Sequence, residues 1–156
     1  MSKKKSKKTR VQETSSISKQ SEPQEIKPSL GHDELLKGLY FIYDLFSRSN
    51  TPFFLMDDTA YCAMHNKPLS GDQITVGIRK LEYGEHPFSI MQAFSQAEEF
   101  SENGIKYSVD GVPVIVRVVD SSDPMFQALN TVMYQHEFFN VPNPFDEYWK
   151  NRSLYV

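Results

Sequence analysis

Large apolar side chains enter the chain at helical spacing. Leu35, Leu36, Leu39, Ile42, Tyr43, Leu45 and Phe46 lie three and four residues apart, which predicts an amphipathic helix over 33–48. Asp33 or Ser29 is its expected cap, and Asn50-Thr51-Pro52 its end. Phe53–Met56 then reads as a short buried strand. Ala60, Ala63 and Met64 mark one side of a helix over 59–66, and Lys67-Pro68-Leu69-Ser70-Gly71 is a loop. Gln73–Arg79 alternates enough to form a second strand. Phe88, Met91, Ala93 or Phe94 and Ala97 give a buried face to a helix from Pro87 to Phe100, ended by Asn103-Gly104. Ile105–Val109 and Val112–Val119 flank Asp110-Gly111, a strong hairpin signal, with Pro113 expected at a strand start or on an edge. A helix is expected over Pro124–Tyr134. The aromatic segment from Phe138 to Trp149 is expected to stay extended through Pro142 and Pro144 and to clamp back over the core. This order predicts an α+β fold, a small mixed sheet flanked by helices.

The pattern stops short of the N-terminus. Residues 1–30 are mostly Lys, Ser, Gln, Glu, Thr and Pro, too poor in large apolar groups to offset the entropy of ordering, so a disordered tail is expected there and a single domain over 31–156. The tail holds eight Lys or Arg against three Glu, whereas the other 126 residues hold nine basic and seventeen acidic groups, so the net charge of −3 averages two unlike pieces. A Lys-rich start can contact nucleic acid through residues 1–10, or an acidic membrane, by counterion release, or simply keep the protein in solution; the last reading is preferred. No aromatic side chains interleave with these lysines, so base stacking has no support.

No apolar run reaches the ~20 residues that span a bilayer, and Met-Ser-Lys-Lys-Lys is not followed by the hydrophobic segment of a secretory signal. One cysteine, Cys62, excludes an internal disulfide framework and suits a reducing, cytoplasmic setting. It reads as a small core residue. His32, His65, His86 and His136 are scattered, without zinc-site spacing, and His65 reads as a surface residue. The glycines form no phosphate-cradling loop of the P-loop or dinucleotide-binding kind.

The chemistry concentrates in two segments. Phe53-Phe54-Leu55-Met56-Asp57-Asp58-Thr59-Ala60 breaks a strand at a polar turn, and Asp72-Gln73-Ile74-Thr75-Val76-Gly77-Ile78 opens a second strand on polar groups. In spacing and hydrophobic frame they resemble the core of the nucleotidyltransferase fold, most closely the LicD/fukutin-type phosphotransferases. Those families carry Gly-Gly-Thr at the first turn and Asp-hydrophobic-Asp on the second strand. The resemblance covers about residues 33–120 and implies a site that holds Mg²⁺ and a nucleotide-linked small molecule. Carboxylates two apart on a strand point the same way and share a cation, and turn glycines let phosphate approach the backbone. Here Gln73 and Thr75 fill the paired acid slots, Asp57 and Asp58 replace the glycines, and Arg117 takes the slot of a third acid.

The resemblance therefore implies a nucleotide or phosphate subsite at Asp57, Asp58, Thr59, Gln73, Thr75 and Arg117. It also implies a rearranged metal site at Asp72 and Asp58, with Asp72 the candidate catalytic group and Asp120 a further acid nearby. The competing reading makes Asp57 and Asp58 helix caps and Asp72 a turn residue, and it is preferred. The expected function is a LicD-like domain with a degenerate site, a pseudoenzyme that binds a ligand or partner. The alternatives are a divergent metal-dependent transferase, using Mg²⁺, and a nucleic-acid-associated or virion accessory protein. The small size and biased tail also suit a phage or mobile-element protein.

Overall fold

A computed structural model describes residues 30–80, 97–101 and 104–155. The tail expected over 1–30 lies outside the described residues save for Leu30, as does most of the helix expected over Pro87–Phe100. The first helix, α1, runs His32–Arg48 and buries Leu35, Leu39, Ile42, Leu45 and Phe46, the face its spacing predicted. Asp33 lies within its first turn and is not the cap, and Ser29 lies outside the described residues. Gly31 is the N-cap, and the Glu34 carboxylate accepts a hydrogen bond from the Gly31 backbone N–H at 2.8 Å. Gly38 lets α1 approach the sheet closely, because a Cβ there would stand 3.0 Å from both Val112 and Val114.

A short strand, β1 (Phe54–Leu55), leads into α2 (Asp57–Met64), which begins two residues earlier than its apolar side suggested. The next strands are β2 (Ile74–Arg79), β3 (Glu99–Ser101), β4 (Gly104–Val109) and β5 (Val112–Val119). They form a five-stranded sheet in the order β1-β2-β5-β4-β3. Only β2 and β5 are parallel, with Thr75 opposite Ile115 and Gly77 opposite Arg117. Asp110 and Gly111, both at positive φ, close the β4–β5 hairpin as expected. Pro113 sits near the start of β5, before β2 joins it, so its missing N–H removes no bond from that parallel pairing. Gly77 has no room for a side chain, since a Cβ would come within 2.5 Å of the Phe54 ring and 2.7 Å of the Met56 sulfur. These contacts tie β1, β2 and the start of α2 into one unit beneath the polar turn.

Three expectations fail beyond this point. The helix expected to reach Phe100 gives way to β3, which pairs with β4 along the sheet edge. The helix expected over Pro124–Tyr134 is a single 3₁₀ turn, Pro124–Phe126, capped by the Asp123 carboxylate, followed by β6 (Asn130–Tyr134). Thr131, Val132 and Tyr134 suit a strand better than a helix, and β6 pairs with β7 (Glu137–Val141) as a separate hairpin. The aromatic segment does clamp over the core, burying Phe139, Val141, Phe145 and Tyr148. It is not extended throughout, however: after Pro142 and Pro144 it turns into α3 (Phe145–Lys150) and a 3₁₀ turn, Arg152–Tyr155. A proline fixes the entry to a helix as readily as it breaks one.

Aromatic packing docks this last segment. Phe126 stacks on Phe54 with ring centres 4.9 Å apart and meets the edges of Tyr148 and Tyr155 at 6.3 and 5.0 Å. Tyr148 has no solvent exposure. The chain end is thereby held beside the turn that joins β1 to α2. No helix among the described residues is long and apolar enough to cross a membrane.

Candidate functional site

The start of α2 and the start of β2 lie side by side. Met56 donates its backbone N–H to the Thr75 carbonyl at 2.9 Å, and the Thr75 N–H donates to the Thr59 hydroxyl at 3.0 Å. Thr59 is buried and committed to this bond, so it is a staple between the two elements rather than a wall of the cleft. Asp57 and Asp58 stand in the first turn of α2 and form no side-chain cap, because Met56 is the N-cap residue. The capping role expected for them is thus not what the chain uses.

Asp57 instead forms the centre of a polar cluster. Arg117, reaching over from β5, donates from Nη1 to Asp57 Oδ2 at 2.6 Å; the two side chains are only 19% and 23% exposed. Tyr148 donates its hydroxyl to Asp57 Oδ1 at 3.0 Å and accepts the Asp57 backbone N–H at 2.8 Å. Burial, assisted by the neighbouring Asp57 carboxylate, raises the Tyr148 hydroxyl well above the usual phenol range, so it remains a donor. Asp57 occupies a left-handed backbone conformation, φ 50°, at the place where the resembling families carry glycine. The backbone there takes a shape that favours glycine, and the acid that occupies it is paired with a guanidinium.

A cleft of about 440 Å³ opens beside this cluster. Asp57, Asp58, Asp72, Gln73 and Thr75 form one part of its wall, and Lys150, Arg152 and Ser153 form the rest. Of the residues assigned to the phosphate and metal subsites, Thr59 and Arg117 stay out of the cleft lining, and Arg117 adjoins it through Asp57. Asp120 is absent too: it is exposed, and its carboxylate accepts hydrogen bonds from the Ser122 N–H and hydroxyl, which hold it below the usual carboxylate range. Cys62 is a buried core residue, and His65 is an exposed residue packed on Tyr61, both as expected.

The donor set does not fit the divalent site that the resemblance implies. Gln73 donates from Nε2 to the Thr75 hydroxyl at 3.0 Å, so the paired slots hold a neutral, self-satisfied couple. Asp57 is matched by Arg117, and among the described residues no three His, Cys, Asp or Glu side chains gather as a metal cluster. Asp58 and Asp72 are left as carboxylates on the exposed rim. Mg²⁺ favours carboxylate oxygens with little competing positive charge, and a guanidinium already sits at the third slot.

Sequence reasoning missed Lys150, Arg152 and Ser153, and it missed the role of Tyr148. The only signal was the aromatic run before them, which predicted that the chain end returns to the core but not where it lands. Arg152 is held in place by the Trp149 ring, 3.7 Å from its guanidinium carbon, and by the Trp149 carbonyl, to which it donates at 2.6 Å.

No protein-family model matches the sequence, and no curated protein does. Among solved structures, a Thermotoga maritima protein proposed to be a nucleotidyltransferase is similar in fold, with a TM-score of 0.56 and 14% identity. The match covers 80% of this chain and 87% of that one. Mixed sheet, flanking helices and this likeness together give the chain a nucleotidyltransferase-like α+β fold.

Proposed function

We propose that the chain is a LicD-like domain in which metal-dependent transfer has been lost and the cleft serves to bind a ligand or partner. The observation that carries this reading is the ion pair of Arg117 with Asp57, beside the neutral Gln73–Thr75 couple. Phosphoryl and nucleotidyl transfer depend on cations that stabilise charge on the moving phosphate. In this cleft the strand-borne acids are absent, and the cation nearest the turn belongs to the protein and is already paired. The ligand would be a small polar molecule, of which a nucleotide-linked one is the kind the fold suggests.

Incubating the protein with Mg²⁺ or Mn²⁺ and nucleoside triphosphates or diphosphate-linked donors tests this directly. No metal-dependent turnover is expected. Turnover that is abolished by Asp72→Ala would overturn the reading in favour of a divergent transferase, which the shared position of Asp58 and Asp72 on the cleft wall would then explain. The basic start of the chain carries a separate possibility, nucleic-acid association. Removing residues 1–10 would in that case weaken DNA or RNA binding with a steep salt dependence; equal binding by the shortened chain would dispose of it.

A further inference from the structure

The charges around the cleft are balanced yet left apart. Once Asp57 is matched by Arg117, two carboxylates, Asp58 and Asp72, and two cations, Lys150 and Arg152, line the same space. Among the described residues no ion pair joins either acid to either base. The acids come from the first turn of α2 and the loop before β2, whereas the cations come from the end of α3 and the 3₁₀ turn after it. The C-terminal wall is anchored by the buried Tyr148, and Arg152 is fixed on Trp149 instead of reaching for an acid. Opposite charges that face one cleft without neutralising each other are complementary to a ligand carrying both signs.

From this we infer that the cleft binds a small zwitterion, its cationic amine toward Asp58 and Asp72 and its anionic oxygens toward Lys150 and Arg152. The inference rests on the reading of the cleft as a ligand-binding site. About 440 Å³ is a volume that a compact ligand of this kind can fill. Gln73, Thr75 and Ser153 add neutral hydrogen-bonding groups to the same wall. A purely anionic ligand would meet Asp58 and Asp72 unpaired, and a purely cationic one would meet Lys150 and Arg152, so each carries a repulsive contact that a zwitterion avoids.

Trp149 is the chain's single tryptophan and carries the Arg152 guanidinium, so its fluorescence reports on this wall. Glycine, γ-aminobutyrate and ε-aminocaproate offer one amine and one carboxylate at increasing separation. Butyrate, caproate, butylamine and hexylamine offer one charge each. At least one aminocarboxylate is expected to give a saturable change, and the singly charged analogues to bind at least about tenfold more weakly, since each leaves a charged partner unmatched. Asp72→Asn and Lys150→Gln, both at exposed positions, are each expected to weaken the zwitterion response while the thermal midpoint stays put. Equal responses to singly charged analogues, or no response to any aminocarboxylate, would overturn the inference. Metal-dependent nucleotide turnover alongside intact zwitterion binding would sink the proposed function and leave this inference standing. Loss of zwitterion binding without turnover would do the reverse.

Discussion

At Asp57 one residue takes on a left-handed backbone, an ion pair and two bonds to a buried tyrosine. An acid tolerates positive φ better than most side chains, though less well than glycine. The Arg117 and Tyr148 contacts offset that cost and lock the turn. Arg117→Gln should therefore destabilise the fold, because it strands a mostly buried carboxylate; the expected loss is roughly 1–3 kcal/mol in chemical denaturation. The double variant Asp57→Gly/Arg117→Gln should recover part of it, since it removes the orphaned charge and restores glycine to a left-handed position. A double variant that is worse by the sum of two independent losses would show that the pair is not coupled. Gln73, Thr75, Asp57 and Arg117 could all be singled out in the sequence, because the resemblance assigns each a slot. Their pairing could not be. Nothing in linear spacing says that Arg117 reaches the turn acid, which needs the β2–β5 register that sets Gly77 opposite Arg117.

Among the elements, those with a clear period and a clear stop were legible: α1, β2 and the β4–β5 hairpin with its Asp110-Gly111 turn. The β6–β7 hairpin was hidden because its turn residues, Gln135 and His136, adopt positive φ of 51° and 71° without being Asn, Asp or Gly. Tertiary contacts hold that turn, as Tyr40 donates its hydroxyl to the Gln135 carbonyl at 2.8 Å. Gln135→Asn/His136→Gly keeps this backbone acceptor and supplies residues suited to the turn. It should raise stability by roughly 0.5–1 kcal/mol, read as a higher denaturation midpoint. A lower midpoint would mean that the side chains of Gln135 or His136 contribute more than their conformational cost. The C-terminal wall of the cleft was hidden for a different reason. The aromatic positions gave its burial, but only the Phe54–Phe126–Tyr148 packing decides that Lys150 and Arg152 end up beside Asp58 and Asp72.

For the whole molecule, two buried phenols link the peripheral segments to the body. Tyr148 ties α3 to α2, and Tyr134 donates from β6 to the Lys67 carbonyl. Burial pushes Tyr134 up to about 12 and Tyr148 further still, from an ordinary value of 10.0. A raised folded-state pKa means that the native state favours the protonated phenol. The stabilisation is complete below the unfolded value of 10.0 and fades as pH rises toward and through the folded values. The midpoint should accordingly fall between pH 10 and 12, and Tyr148→Phe should flatten that slope while lowering stability at neutral pH. An unchanged alkaline slope in Tyr148→Phe would remove Tyr148 from this role.

If the Arg117 guanidinium and the neutral Gln73–Thr75 couple stand where a transferase would hold its cation, the cleft should bind no divalent metal. The most direct measurement is Mn²⁺ binding, followed by electron paramagnetic resonance, in the wild-type chain and in the variant Gln73→Asp/Thr75→Asp/Arg117→Asp. The wild-type chain is predicted to show no saturable Mn²⁺ site, and the variant, with its carboxylates restored, to gain one. Saturable Mn²⁺ binding by the wild-type chain that disappears in Asp72→Ala would show instead that the cleft holds a metal.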